Sequence, residues 1–213
     1  MILSWSSAAR SEKTKARQYI IDSYRNEFKQ HSIDSGKQYW TLAGQCNSKN
    51  VWSNGCEPDQ LLSEDLLQSP SQYYGVEINE EWHKENINAN ITLNFIHGDL
   101  YQQIVNYHNM KKFNPAIINA DYFATSKTCS GNFSDILYFL SENDYKDVMV
   151  VGNFCLKEYF KKKYTYQEFI DNIYKQPRFK MAMNYGWKFN QKVFDYTSNI
   201  MPMGTIIFYR ENT

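Results

Sequence analysis

With 213 residues, 42% of them hydrophobic and 22% charged, the chain holds enough apolar mass for one sizeable core and too little for two comfortable domains. Its 23 Lys and Arg residues balance its 23 Asp and Glu residues, so the whole-molecule field that drives non-specific nucleic-acid binding is missing, and only a local basic patch could serve that role. No stretch has the length and apolarity of a transmembrane span, the opening "MILSWSSAAR" lacks the apolar run of a signal peptide, and Cys46, Cys56, Cys129 and Cys155 form no CxxC pair, zinc spacing or disulfide framework. The expectation is one domain over residues 1–213, in the cytoplasm, with no resident metal and no membrane attachment.

In chain order, "SEKTKARQYIIDSYRNEFKQH" sets Ala16, Ile20, Tyr24 and Phe28 on one face with charges opposite, the spacing of an amphipathic helix that covers a sheet. Residues 1–36 are therefore read as a helical cover and 37–213 as an α/β core. "KQYWTLAG" predicts a short buried strand ending on Gly44, followed by the polar run "QCNSKNVWSNGCE". Pro58 stands where a first helical turn tolerates proline, and "PDQLLSEDLLQ" carries a leucine face with acids near its start. "QYYGVEI" is a second strand, and "NEEWHKENINAN" a helix with Asn79 as its N-cap.

The alternation continues. "TLNFIHGD" predicts a strand, "LYQQIVNYHNMKK" a helix, "PAIINADYF" a strand and "NFSDILYFLSEND" a helix. "KDVMVVGNF" has the continuous apolar run of a strand buried on both faces. Such βαβαβ order implies a parallel sheet with helices on both faces. A helix interrupted around Pro177 follows; then "WKFNQKVFDYTS" and "MPMGTIIFYREN" are two strands joined by too few residues for a crossover helix, hence an antiparallel hairpin.

A helix, five βα-type strands and a terminal hairpin resemble the class I S-adenosylmethionine-dependent methyltransferases over nearly the whole chain. The resemblance implies a Rossmann-like three-layer sandwich with a mostly parallel seven-stranded sheet and a C-terminal antiparallel β-hairpin. It implies S-adenosyl-L-methionine as cofactor, with Ala43 and Gly44 forming the turn after the first strand, Glu77 holding the ribose hydroxyls, and Ile78, Gly98, Asp99 and Leu100 around the adenine. Independently of any family, polar and glycine positions at successive strand ends converge on one crevice, because ligands of open α/β sheets bind outside the carboxyl ends of the strands. The chain departs from the family's turn at one place: "YWTLAGQCNSK" offers only Ala43 and Gly44 as small residues, and Thr41 or Leu42 stands where the family has an acid. Either the insertion that follows reshapes this turn, or the scaffold persists as a catalytically inactive, cofactor- or partner-binding pseudoenzyme. The absence of any G-x-G argues against a dinucleotide oxidoreductase.

The fourth strand's end, "IINADYF", sets Asn119, Asp121 and Tyr122 beside the expected methyl group. The Asn119-x-x-Tyr122 spacing is similar to the N-P-P-Y motif of methyltransferases acting on the amino groups of adenine or cytosine, although both prolines are missing. The resemblance implies an acceptor contacted by Asn119 and Tyr122, with Asp121 as the base and Asn119 bordering the cofactor as well. "LKEYFKKKYTY" interleaves Lys157, Lys161, Lys162 and Lys163 with aromatic residues, a combination that suits phosphates and stacked bases as well as a solvated loop. Of the histidines, His97 is expected at a strand edge, and His31, His83 and His108 on surfaces.

Overall fold

The computed structural model describes residues 7–43, 57–89, 92–120, 126–155, 168, 171, 175, 177–190, 194–198 and 201–211. The chain forms two compact units, one of Arg17–Ala120 and one of Met1–Ala16 with Asp121–Thr213. Helix α1 is Ser7–Phe28; of its expected apolar stripe Ala16, Ile20 and Tyr24 are buried, Phe28 is half-buried, and Ile21 is buried in addition.

In the first unit, β1 (Gln38–Leu42), α2 (Glu57–Ser63), β2 (Tyr73–Glu77), α3 (Glu80–Ala89), β3 (Asn94–His97), α4 (Leu100–Asn109) and β4 (Pro115–Ala120) alternate. The strands pair in the order β3-β2-β1-β4, all parallel. Side chains alternate across a strand, and parallel neighbours in register share a face. Trp40 therefore stands beside Tyr74 and Ile118 on one face. There it stacks on Tyr74 at 4.8 Å between ring centroids and meets Tyr107 of α4 and Phe113 edge-on at 5.0 and 5.3 Å. These offset and edge-to-face contacts suit aromatic quadrupoles and fix α4 on that face.

The amino ends of the same strands are tied by side-chain amides. Gln38 Nε2 donates to Lys112 O at 2.8 Å, while its Oε1 accepts from Trp40 Nε1 and Asn114 N, each at 2.9 Å. Gln72, the last residue of the single 3-10 turn before β2, donates to Asp34 O at 2.8 Å and accepts from Gln68 N at 2.7 Å. Gly75 in mid-β2 has a packing reason, since a Cβ there would meet Phe95 Cδ1 at 2.9 Å and Ala43 Cβ at 3.0 Å.

The second unit holds α5 (Ser126–Glu142), β5 (Val148–Cys155), α6 (Pro177–Asn184), β6 (Lys188–Phe189), β7 (Phe194–Ser198) and β8 (Met201–Arg210). Pro177 opens α6, where its missing N–H costs nothing. β5 runs antiparallel to β8 over its whole length, from Val148 opposite Arg210 to Cys155 opposite Met203, and buries Val148, Met149, Val150 and Val151; Phe133, Ile136, Leu137 and Leu140 of α5 are buried as well. The buried Trp187 donates from Nε1 to Ser141 Oγ at 2.8 Å. Across the β5–β8 pair, Thr205 Oγ1 donates to Asn153 Oδ1 at 2.6 Å, satisfying two buried polar groups.

The Rossmann-like fold class expected from the sequence is the one observed, with parallel strands first and the antiparallel hairpin last. The hairpin differs in one detail: the strand expected over 187–198 is two pieces, β6 and β7, both paired to β8. No described helix is long and apolar enough to cross a membrane.

Candidate functional site

Opposite the Trp40 face, the register brings Tyr39 and Thr41 of β1, Tyr73, Gly75 and Glu77 of β2, Phe95 and His97 of β3, and Ile117 and Asn119 of β4 onto one surface. The carboxyl ends of these four strands carry its polar groups.

Glu77 closes β2 and is only 6% exposed. Its Oε1 accepts from Asn79 N at 2.7 Å, and Asn79 Oδ1 in turn accepts from Glu81 N and Trp82 N at 3.0 and 3.1 Å, the N-cap expected for α3. No cation among the described residues pairs with Glu77, which is unusual for a buried carboxylate. Ile78, the next residue, is 70% exposed, a large apolar side chain at the sheet's ligand edge. Ala43 continues β1 alongside, its N–H donating to Val76 O at 2.9 Å.

At the end of β3, Gly98 adopts φ 134°, a region open to glycine, and its N–H reaches Glu77 O at 3.0 Å. A Cβ there would lie 2.6 Å from Gln103 Nε2. Asp99 caps α4, its side chain accepting from Gln102 N at 3.0 Å, and Leu100 is fully buried, so its side chain belongs to the core. His97 ends the edge strand as expected, one ring nitrogen 3.1 Å from Ile78 O, and His83 lies beside it with ring centroids 5.4 Å apart. The expectations for Gly44, Asp121, Tyr122, Lys157, Lys161, Lys162 and Lys163 fall on residues outside those described.

Asn119 does lie on this face, 4% exposed, with a partner that sequence reasoning missed. Its Nδ2 donates to Glu57 Oε1 at 2.7 Å. Tyr39 Oη donates to the same oxygen at 2.7 Å, and Tyr73 Oη reaches Glu57 Oε2 at 3.4 Å. Glu57 thus gathers donors from β1, β2 and β4, and Tyr39 and Tyr73 stack at 6.0 Å beneath it. Burial pushes the Tyr39 hydroxyl well above its ordinary pKa, and the neighbouring Glu57 charge and hydrogen bond push the same way. Beside this cluster Thr41 Oγ1 is buried with no hydrogen-bond partner among the described residues. As a residue type at a helix start, Glu57 reads as an ordinary first-turn acid, and nothing local in the sequence marks its meeting with Tyr39, Tyr73 and Asn119.

No family model matches the chain, and no curated protein matches it. Solved structures do. A cofactor-bound structure of Rv0187 from MTB aligns over 100% of this chain and 84% of its own at 8% identity, with a TM-score of 0.55. A Klebsiella pneumoniae protein assigned as an O-methyltransferase aligns over 99% and 93% at 8% identity and a TM-score of 0.51. The fold is that of the class I S-adenosylmethionine-dependent methyltransferases. TrmN from Thermus thermophilus, at 10% identity and a TM-score of 0.51, shares it over 92% of this chain and 48% of its own, so the chain spans about half of that protein. Glu77 closes β2, Gly98 and Asp99 follow β3, and Glu57, to which the sequence reading gave no site role, opens α2. Among the described residues no group of three or more His, Cys, Asp or Glu side chains could hold a metal.

Proposed function

We propose that the protein is an S-adenosylmethionine-dependent methyltransferase of the cytoplasm. The observation that carries this reading is Glu77: a buried carboxylate at the end of β2, held by one backbone N–H and matched by no cation among the described residues, in a fold whose ligand edge lies there. Its remaining acceptor sites suit the two vicinal hydroxyls of a ribose. The neighbouring residues fit the rest of the cofactor: Gly98 turns the backbone clear of the adenine, exposed Ile78 gives the base an apolar surface, and Ala43, which continues β1, borders the methionine part. The bound cofactor supplies an activated methyl group on a sulfonium. This chain's residues then hold the acceptor in line, about 3–3.5 Å from the methyl carbon, and remove a proton only where the nucleophile keeps one.

Asn119, Asp121 and Tyr122 take the acceptor side in this reading, with Asp121 as base. The Asn119-x-x-Tyr122 spacing supports an amino group of a nucleic-acid base, which would have to be flipped out to reach this edge. Lys161, Lys162 and Lys163 are proposed to track the phosphates.

Calorimetry with S-adenosylmethionine and S-adenosylhomocysteine is the first test; absence of binding by both at millimolar concentration would sink the reading. Transfer of labelled methyl to single-stranded DNA or RNA over a salt series tests the acceptor. A nucleic-acid substrate should lose affinity steeply as salt rises, and replacing the three lysines by alanine should flatten the log–log slope by roughly 2 to 3. A salt-independent reaction would point instead to a small acceptor.

A further inference from the structure

We infer that Glu57 receives the cationic α-amino group of the cofactor's methionine part, in place of the acid missing from the turn after β1; this rests on the cofactor reading above. A carboxylate can accept about four hydrogen bonds. Glu57 has two good ones on Oε1, from Tyr39 Oη and Asn119 Nδ2, and only a long contact on Oε2, from Tyr73 Oη at 3.4 Å. All three donors are neutral, and no Lys, Arg or His among the described residues pairs with this half-buried charge. A carboxylate withdrawn from water without a counter-charge is costly, so the site favours a cation.

The kind of cation follows from the surroundings. A metal ion would need more ligating side chains than the described residues bring together. A sulfonium has no N–H to give to Oε2, whereas an ammonium has three. A second acceptor waits beside Glu57: Thr41 Oγ1, 1% exposed, unpartnered among the described residues and register partner of Asn119 on this face. Position agrees with chemistry. With ribose at Glu77 on β2 and adenine at Gly98 on β3, the strand order β3-β2-β1-β4 carries the amino-acid tail across β1 toward β4, where Tyr39, Thr41, Asn119 and Glu57 lie. Of Thr41 and Leu42, either of which stands where the family has an acid, Thr41 is the one that shares this face with Asn119, so an ammonium bound there would lie between a hydroxyl from β1 and a carboxylate from α2. Tyr39 and Asn119 are positioning residues: they hold Oε1 and leave Oε2 for the ligand.

The test compares three ligands on the full chain and on Glu57→Gln: S-adenosylhomocysteine, its analogue lacking the amino group, and methylthioadenosine, which lacks the amino-acid part. On the native protein, loss of the amino group should weaken binding by about tenfold or more. Glu57→Gln should weaken S-adenosylhomocysteine by a similar factor, leave methylthioadenosine unchanged, and abolish discrimination against the deaminated analogue. Equal binding of S-adenosylhomocysteine and its deaminated analogue by the native protein would overturn the assignment, and that comparison stands even if the variant fails to fold. Equal loss of methylthioadenosine in the variant would show a merely structural role and overturn it too. A loss confined to S-adenosylmethionine would assign Glu57 to the sulfonium instead. Failure of the native protein to bind any of the adenosyl ligands is a different outcome, removing the cofactor reading itself and this inference with it.

Discussion

At their amino ends β1, β2 and β4 are joined by Gln38, Gln72 and Asn114, neutral amides that meet backbone groups or the indole of Trp40 in contacts as short as 2.7–2.9 Å. Toward their carboxyl ends lie Glu77, which closes β2, and Glu57, which opens α2 and is held by Asn119 of β4: charged groups with neutral donors and no cation among the described residues, beside an exposed Ile78 and a Thr41 hydroxyl unpartnered among the described residues. Satisfied buried amides add a modest net stability but are expensive to orphan. Under-matched carboxylates leave acceptor sites and charge open to a ligand. On the proposed reading the two ends of one sheet divide stability from ligand recognition, and substitutions should divide the same way.

The largest expected effect is at the closed end. Trp40→Ala removes a fully buried indole from between Tyr74, Tyr107 and Phe113 and takes away one of the two donors to Gln38 Oε1, and should cost about 3–5 kcal/mol of stability in urea unfolding. Any folded fraction should bind the cofactor with unchanged affinity; a parallel loss of affinity would break the division between the ends. At the open end the signs reverse. Glu77→Ala should weaken S-adenosylmethionine binding by about 1.5–3 kcal/mol in calorimetry while leaving the melting temperature of the free protein nearly unchanged. A variant that unfolds instead would show that Glu77 serves the fold through Asn79 rather than a ligand.

How much of this could be read from the chain differs between the two ends for a physical reason. The strands, their parallel order and the hairpin follow from hydrophobic period and connection length, both local properties. Glu77 was legible because an acid closing a strand before a capped helix is a local pattern. Glu57 was not, because it reaches β1, β2 and β4 over sequence separations of 18, 16 and 62 residues, and no short-range pattern records such a meeting. The same holds for Gln38, read as part of a strand but placed by the fold against Lys112 and Asn114. The split of the strand over 187–198 into β6 and β7 did have a local signal, since the apolar alternation of Trp187 and Phe189 lapses over Asn190, Gln191 and Lys192 and shifts phase at Val193 and Phe194.

The smallest expected effect lies where the two ends meet, at Tyr39, whose ring belongs to the core and whose hydroxyl belongs to the site. Tyr39→Phe keeps the stacking on Tyr73 and removes one donor from Glu57 Oε1, a change of about 0.5–1.5 kcal/mol at neutral pH. Alkaline pH amplifies it with a definite sign. Burial first, and then the Glu57 charge, raise the Tyr39 pKa in the folded protein above the ordinary value of 10.0 that it regains on unfolding. The folded state therefore keeps a proton that the unfolded state releases, so the stability this tyrosine contributes is complete below pH 10 and declines as the pH rises from there through the folded pKa. Urea midpoints of the native protein should fall more steeply above pH 10 than those of Tyr39→Phe, which has no proton to lose there. Parallel midpoints across that range would mean that the hydroxyl is solvated, and would move Tyr39 out of the pair of residues that hold Glu57 in place.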